Sequence, residues 1–234
     1  LPSATDIDVV YERLSLDHRS GLEYARRLGV PFVLEVNAPL VDEAERHRPD
    51  SVTLGDRGTE IELLRAADLV ISVSSALTRW VQTFRAGPTL TQPNGFEPSW
   101  FDPDRRIPVS ADDVEFPLVF LGHPKPWHGA DRLVPLLEAL ASTGHRPNTL
   151  VIGGGTGAAR LLASAERRGL DRELTVTGPL DPRDATRRLH DAVIGLAPYP
   201  RQSTFYFCPL KVVDYLAAGL AVVSTDQGDI ADMV

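Results

Sequence analysis

Leu118-Val119-Phe120-Leu121-Gly122-His123-Pro124-Lys125-Pro126-Trp127-His128-Gly129, running on into Ala130 to Ala141, decides the fold. The first four residues are apolar without alternation, as in a strand covered by helices on both faces. Gly122 permits a sharp turn, two prolines stiffen the loop, and Ala130 to Ala141 carries the apolar spacing of a helix. A buried strand that passes through a loop into a helix is one step of a parallel α/β sheet. Such sheets bind ligands beyond the carboxyl ends of their strands.

The same alternation extends on both sides of this stretch. Downstream, strands are expected at Leu150 to Ile152, Leu174 to Val176, Val193 to Ala197 and Ala221 to Ser224, with helices at Ala158 to Arg168, Arg183 to Leu189 and Leu210 to Ala218. Upstream, Ile7 to Tyr11, Phe32 to Val36, Leu69 to Val73 and Thr89 to Gln92 read as strands. His18 to Leu28, ended by Gly29, reads as a helix, as do Glu60 to Ala67 and Ala76 to Phe84, the last capped by Ser75. The proline-rich segment from Pro93 to Pro117 breaks the periodicity and reads as a linker. Two α/β domains in tandem follow: residues 1–113, with the linker from about 93, and residues 114–234. The chain begins at Leu1 and stops at Asp229 to Val234, which reads as the start of a helix, so both ends look cut.

The 234 residues are 43% hydrophobic and 24% charged, which excludes a disordered or fibrous chain. The single cysteine, Cys208, excludes an intrachain disulfide, and no signal-peptide pattern is present, so a reducing, cytoplasmic compartment is expected. A net charge of -8 argues against a nucleic-acid partner. No apolar run approaches the ~18 residues of a membrane span. The cations are 22 arginines and two lysines, Lys125 and Lys211. Two lysines among so many arginines suggest places where a compact point charge suits better than a planar fork.

Three loops could carry chemistry. Gly122 to Gly129 offers Lys125, His123 and His128 as up to three cations at a strand–helix turn, which suits a diphosphate. Ser203 to Gly219 opens a second helix, with Cys208 at its N-cap, Pro209 in its first turn and N–H groups near Leu210 and Lys211 free for an anion. Lys211 and Asp214 are three apart and share a face, either as a surface ion pair or with Asp214 free to accept from vicinal ribose hydroxyls. Gly153-Gly154-Gly155-Thr156-Gly157-Ala158 matches G-x-G-x-x-A, but the next strand ends in Val176-Thr177-Gly178-Pro179 without the acid that a nicotinamide cofactor requires. Two D-x-D triplets, Asp6-Ile7-Asp8 and Asp102-Pro103-Asp104, do not follow strands and are set aside as metal sites. The histidines show no metal-ligand spacing, and there is no P-loop.

Together these loops resemble glycosyltransferase family 4, retaining sugar transferases of the GT-B fold. The match is carried by Pro93-Asn94-Gly95-Phe96-Glu97 through Pro103, by Gly122 to Gly129, by Asp191 to Tyr199, by Pro209-Leu210-Lys211 through Val223, and by Val30 to Asn37. The resemblance implies two Rossmann-like, doubly wound parallel-sheet domains, with a nucleoside diphosphate sugar on the C-terminal one and the acceptor mostly on the N-terminal one. It implies retention of anomeric configuration and no metal or other cofactor. Catalytic roles then fall to Lys125, His128 and Asn37, and donor binding to Gly122, His123, Lys125, Tyr206, Cys208, Pro209, Leu210, Lys211 and Asp214.

Several positions depart from the family pattern. Its phosphate-binding Arg and Lys fall on His123 and His128, which leaves Lys125 as the best phosphate cation. The second of its paired acids falls on Asp214, the first on Tyr206, and its N-domain histidine falls on Asn37. A longer protein would extend before Leu1 and past Val234, and contact with a membrane surface would come from the part before Leu1. The resemblance implies a carbohydrate, lipid-linked or small-molecule acceptor. Alternatives are a GT-B nucleotide-sugar epimerase and a non-catalytic nucleotide-sugar-binding homologue, the latter favoured by Tyr206 and Asn37. A dehydrogenase is the remaining alternative.

Overall fold

A computed structural model describes residues 6–16, 18–47, 54–101, 115–202 and 205–234. Much of the expected linker, including Asp102-Pro103-Asp104, and Ser203-Thr204 lie outside the described residues. The chain divides into two compact units. The first runs up to Asn94 and also takes residues 205–208; the second holds the rest from Gly95.

The first unit contains β1 (Val10–Arg13), α1 (Ser20–Leu28), β2 (Phe32–Val36), α2 (Leu40–His47), α3 (Leu54–Ala66), β3 (Leu69–Ser72), α4 (Ser75–Gln82) and β4 (Thr89–Thr91). Its strands pair in parallel in the order β1-β2-β3-β4. Phe32, Leu34 and Val36 point into the core beside Leu63, Leu64, Leu77 and Val81. α1 ends at Gly29 in the left-handed region, φ 69°.

Several boundaries differ from the sequence reading. β1 starts at Val10 rather than Ile7, α1 at Ser20 rather than His18, and α3 at Leu54 rather than Glu60. α4 is capped by Ser74, not Ser75: the Ser74 hydroxyl accepts from Leu77 N at 3.1 Å. α2 was not expected. Its start is served by a distant group, the buried Glu60 carboxylate, which accepts from Val41 N at 3.3 Å.

The second unit holds β5 (Leu118–Leu121), α5 (Leu133–Ser142), β6 (Thr149–Ile152), α6 (Thr156–Glu166), β7 (Leu174–Val176), α7 (Pro182–Leu189), β8 (Ile194–Ala197), α8 (Leu210–Ala217) and β9 (Ala221–Ser224). All strands are parallel, in the order β7-β6-β5-β8-β9. The core gathers Phe120, Val134, Leu137, Val151, Leu161 and Leu174 between sheet and helices. The helix expected from Ala130 starts at Leu133. Two 3-10 turns, Pro126–His128 and Ala130–Arg132, occupy the preceding residues. The terminal helix expected from Asp229 is a 3-10 turn over Ile230–Asp232. α7 is capped by Asp181, whose carboxylate accepts from Arg183 N and Asp184 N, both at 3.0 Å.

The sheet order reverses direction between β5 and β8, which run outward to β6 and β9 respectively. That is the switch point at which an open α/β sheet forms a ligand crevice.

Candidate functional site

β5 and β8 pair only through Leu118↔Ile194 and Val119↔Gly195. Beyond that, the buried Tyr215 hydroxyl stands between them, accepting from Leu121 N at 2.7 Å and donating to Leu196 O at 3.1 Å. Its ring fits because Gly195 has no Cβ, which would meet that ring. The carboxyl ends of the strands are thereby held apart with their polar groups satisfied.

The Gly122–Gly129 loop leaves β5 there. Gly129 has φ 72°, and a Cβ on it would strike Pro198 O, so only glycine lets the loop pass the segment after β8. His128 Nδ1 lies 2.6 Å from His123 O. A carbonyl only accepts, so Nδ1 carries the proton and Nε2 keeps its lone pair. Burial brings His128 down to about 4, and the nearby Lys211 charge adds to this. This corrects the expectation of three cations in the loop: at neutral pH His128 is neutral. His123 likewise faces a carbonyl, Gly154 O, at 3.1 Å.

Lys211 is neither on the surface nor paired with Asp214. Its residue is 7% exposed, and its ammonium lies 4.0 Å from the Phe120 ring centroid and 5.1 Å from that of Tyr199, with no hydrogen-bond partner among the described residues. Burial brings it down to about 7. Asp214 is half-buried, and burial pushes its carboxyl up to about 6. The cap of α8 is Pro209, not Cys208; it offers no side-chain hydrogen bond, and Cys208 is buried. The N–H groups of Leu210 and Lys211 have no partner among the described residues.

Lys125 is exposed and lines a cleft of about 320 Å³ with Asp131, Arg160 and Ser164. The structure thus brings Lys211 and His128 together beside the Tyr199 ring, with Gly122 and His123 beginning the loop that carries His128.

Asn37, Tyr206 and Cys208 belong to the first unit rather than to this group. Asn37 Nδ2 donates to Glu35 Oε1 at 2.6 Å, and Glu35 accepts from the Tyr11 hydroxyl at 2.5 Å, which holds its carboxyl below the usual range. Asn37 Oδ1 is buried and unpartnered. The Tyr206 hydroxyl donates to Glu43 at 2.8 Å, and burial with this carboxylate pushes the phenol pKa up.

Sequence reasoning missed Phe120, Tyr199 and Tyr215, the aromatic residues that shape the crevice. The available signal was Lys211 itself, a rare lysine followed by two valines near the start of a helix.

Residues 115–234, just over half of the chain, match the sequence profile of the glycosyl transferases group 1. The chain belongs to this family. Among solved structures, it is similar to HepE from Anabaena in complex with UDP and glucose, at 17% identity over 97% of this chain and 61% of that one, with a TM-score of 0.67. It is also similar to sucrose-phosphate synthase from Thermosynechococcus elongatus, at 16% identity over 95% and 57%, TM-score 0.67. A UDP-forming α,α-trehalose-phosphate synthase from Burkholderia xenovorans matches at 14% identity over 96% and 60%, TM-score 0.62. These likenesses establish the GT-B fold for this group 1 chain, which spans about three fifths of the length of those proteins. No curated protein sequence matches it. Among the described residues, no helix of this group 1 chain is long and apolar enough to cross a membrane.

Proposed function

We propose that this chain is the donor-binding part, with a portion of the acceptor part, of a glycosyltransferase of family 4. It would move a sugar, with retention and without a metal or other cofactor, from a nucleoside diphosphate sugar to a carbohydrate, lipid-linked or small-molecule acceptor. The observation that carries this reading lies at the start of α8, where a buried ammonium and two backbone N–H groups have no acceptor among the described residues. A departing diphosphate would complement them, because fixed donors aimed at developing charge lower the barrier of such a transfer.

In this reading Lys211 and the N–H groups of Leu210 and Lys211 hold the diphosphate. Lys125 approaches it from the loop, and Asp214 accepts from ribose hydroxyls. His128, protonated on Nδ1, presents Nε2 as an acceptor, suited to a sugar hydroxyl. Asn37, its amide fixed by Glu35, presents Oδ1 to an acceptor hydroxyl. Tyr206 and Cys208 are assigned to donor binding. The protein would work in the cytoplasm, at or near the inner face of the membrane. Tyr206, engaged by Glu43 where the family carries an acid, favours a second reading in which the nucleotide sugar is bound without turnover.

Calorimetric titration with UDP, GDP, ADP and NAD tests the donor reading. One nucleoside diphosphate should bind, and Asp214→Ala should weaken it. Binding of NAD in its place overturns the reading, and release of nucleoside diphosphate from a nucleotide sugar with a permissive acceptor separates transfer from binding alone. Lys125→Ala should lower affinity for the diphosphate with little change in stability, since the residue is exposed. A hydrogen bond to a charged group is worth roughly 1.5–3 kcal/mol, so the loss is on the order of tenfold to a hundredfold.

A further inference from the structure

Lys211 presents a problem that the fold leaves open. Its ammonium is buried, and two aromatic faces hold it, Phe120 at 4.0 Å and Tyr199 at 5.1 Å. Cation–π contact offsets part of the lost hydration but supplies no acceptor for the N–H donors. A buried cation without a partner is costly, and such a group sheds its proton or finds an anion.

Among the described residues, the groups around it provide no anion. On the loop after β5, Lys125 is a cation, His123 faces Gly154 O, and His128 is neutral with its Nδ1 turned to His123 O. On α8 itself, the Tyr215 hydroxyl is engaged by Leu121 N and Leu196 O, and Asp214 makes no ion pair with Lys211. β5 contributes the Phe120 ring, and the segment after β8 contributes Tyr199. The N–H groups of Leu210 and Lys211 add two more unpartnered donors at the start of α8.

We propose that Lys211 is the anion receptor of this crevice, and that binding of a dianion there transfers one proton from solution to its amine. The inference rests on the reading of the crevice as a diphosphate site and adds the proton as a second ligand. The balance is simple: the Nζ lone pair takes a proton from buffer, and the resulting ammonium is paired by the anion. With Lys211 brought down to about 7, most of the amine is neutral above that pH in the free protein. Affinity for the anion should therefore decline above neutral pH, approaching tenfold per pH unit. Asp214, at about 6, is already ionised there and exchanges no proton.

The test is calorimetry at pH 8.5 in buffers of different ionisation enthalpy, which counts protons per ligand bound. The probes are UDP, GDP and ADP, whose terminal phosphates titrate near 6, and sulfate, which does not titrate. Proton uptake should approach one per anion at pH 8.5 and shrink toward pH 6. Lys211→Arg, charged at every working pH, should keep anion binding and lose the uptake. Lys211→Met should lose both while remaining folded by circular dichroism.

A nucleoside diphosphate that binds without uptake overturns the proposal and leaves the donor site standing. Uptake that survives in Lys211→Met assigns the proton to another group and also overturns it. Sulfate bound with uptake, but no nucleotide bound, supports the proposal and removes the donor reading. If no anion binds, both fall.

Discussion

At the residue scale, the buried lysine makes a claim about stability that is independent of any ligand. Its folded value, about 7, lies below its ordinary value of 10.5. Between those values the unfolded chain binds more protons than the folded one, so stability rises with pH across that window. The penalty is complete below about 7 and relieved as pH approaches 10.5. An apolar side chain of similar shape escapes the cost of burying an unpaired charge. Lys211→Met should therefore unfold at higher urea than the parent at pH 6.5, with the gap closing at pH 10; an equal midpoint at both pH values would contradict the burial of the charge. The sequence marked Lys211 by rarity alone. It could not reveal Phe120 and Tyr199 as its neighbours, because they lie 91 and 12 positions before it and meet it only through the sheet.

At the scale of elements, the Tyr215 hydroxyl serves the amide of Leu121 and the carbonyl of Leu196 where no ladder bond serves them. Tyr215→Phe should cost about 1–3 kcal/mol, since it orphans buried backbone groups, and urea unfolding measures it directly. Asp181→Ala should lower the urea midpoint by uncapping α7, read in the same way.

The strands were legible because they are short runs rich in β-branched and other apolar residues. Phe32 to Val36, Leu118 to Leu121, Leu174 to Val176 and Ala221 to Ser224 appear where the sequence puts them. Helix starts were less legible because their determinants are not local. α5 is delayed by the two 3-10 turns around the left-handed Gly129, and the N-terminus of α2 is satisfied by Glu60 from another helix. Of the site, the anion-binding loops were legible from composition. The protonation state of His128 was not, because it depends on burial and on a carbonyl five residues away.

At the scale of the whole molecule, the crevice lies within the second unit, and a bound diphosphate should be felt there first. Hydrogen exchange followed by mass spectrometry should show slowing in peptides over residues 118–129 and 209–216 on addition of the nucleotide that binds. A peptide over α1 should be unchanged, and slowing confined to α1 would place the site elsewhere. The chain carries a net charge of -8, so a few unpaired N–H donors and one ammonium must attract an anion against the mean field, and affinity should fall as salt rises. The same composition gives the molecule two lysine side chains in all, one exposed and one lying over an aromatic face. Selective carbon-13 labelling of lysine reduces the entire spectrum to two ε-methylene signals. The Phe120 ring current shields the one from Lys211 and moves it upfield of the other, so this residue reports its own protonation without a mutation or an added dye.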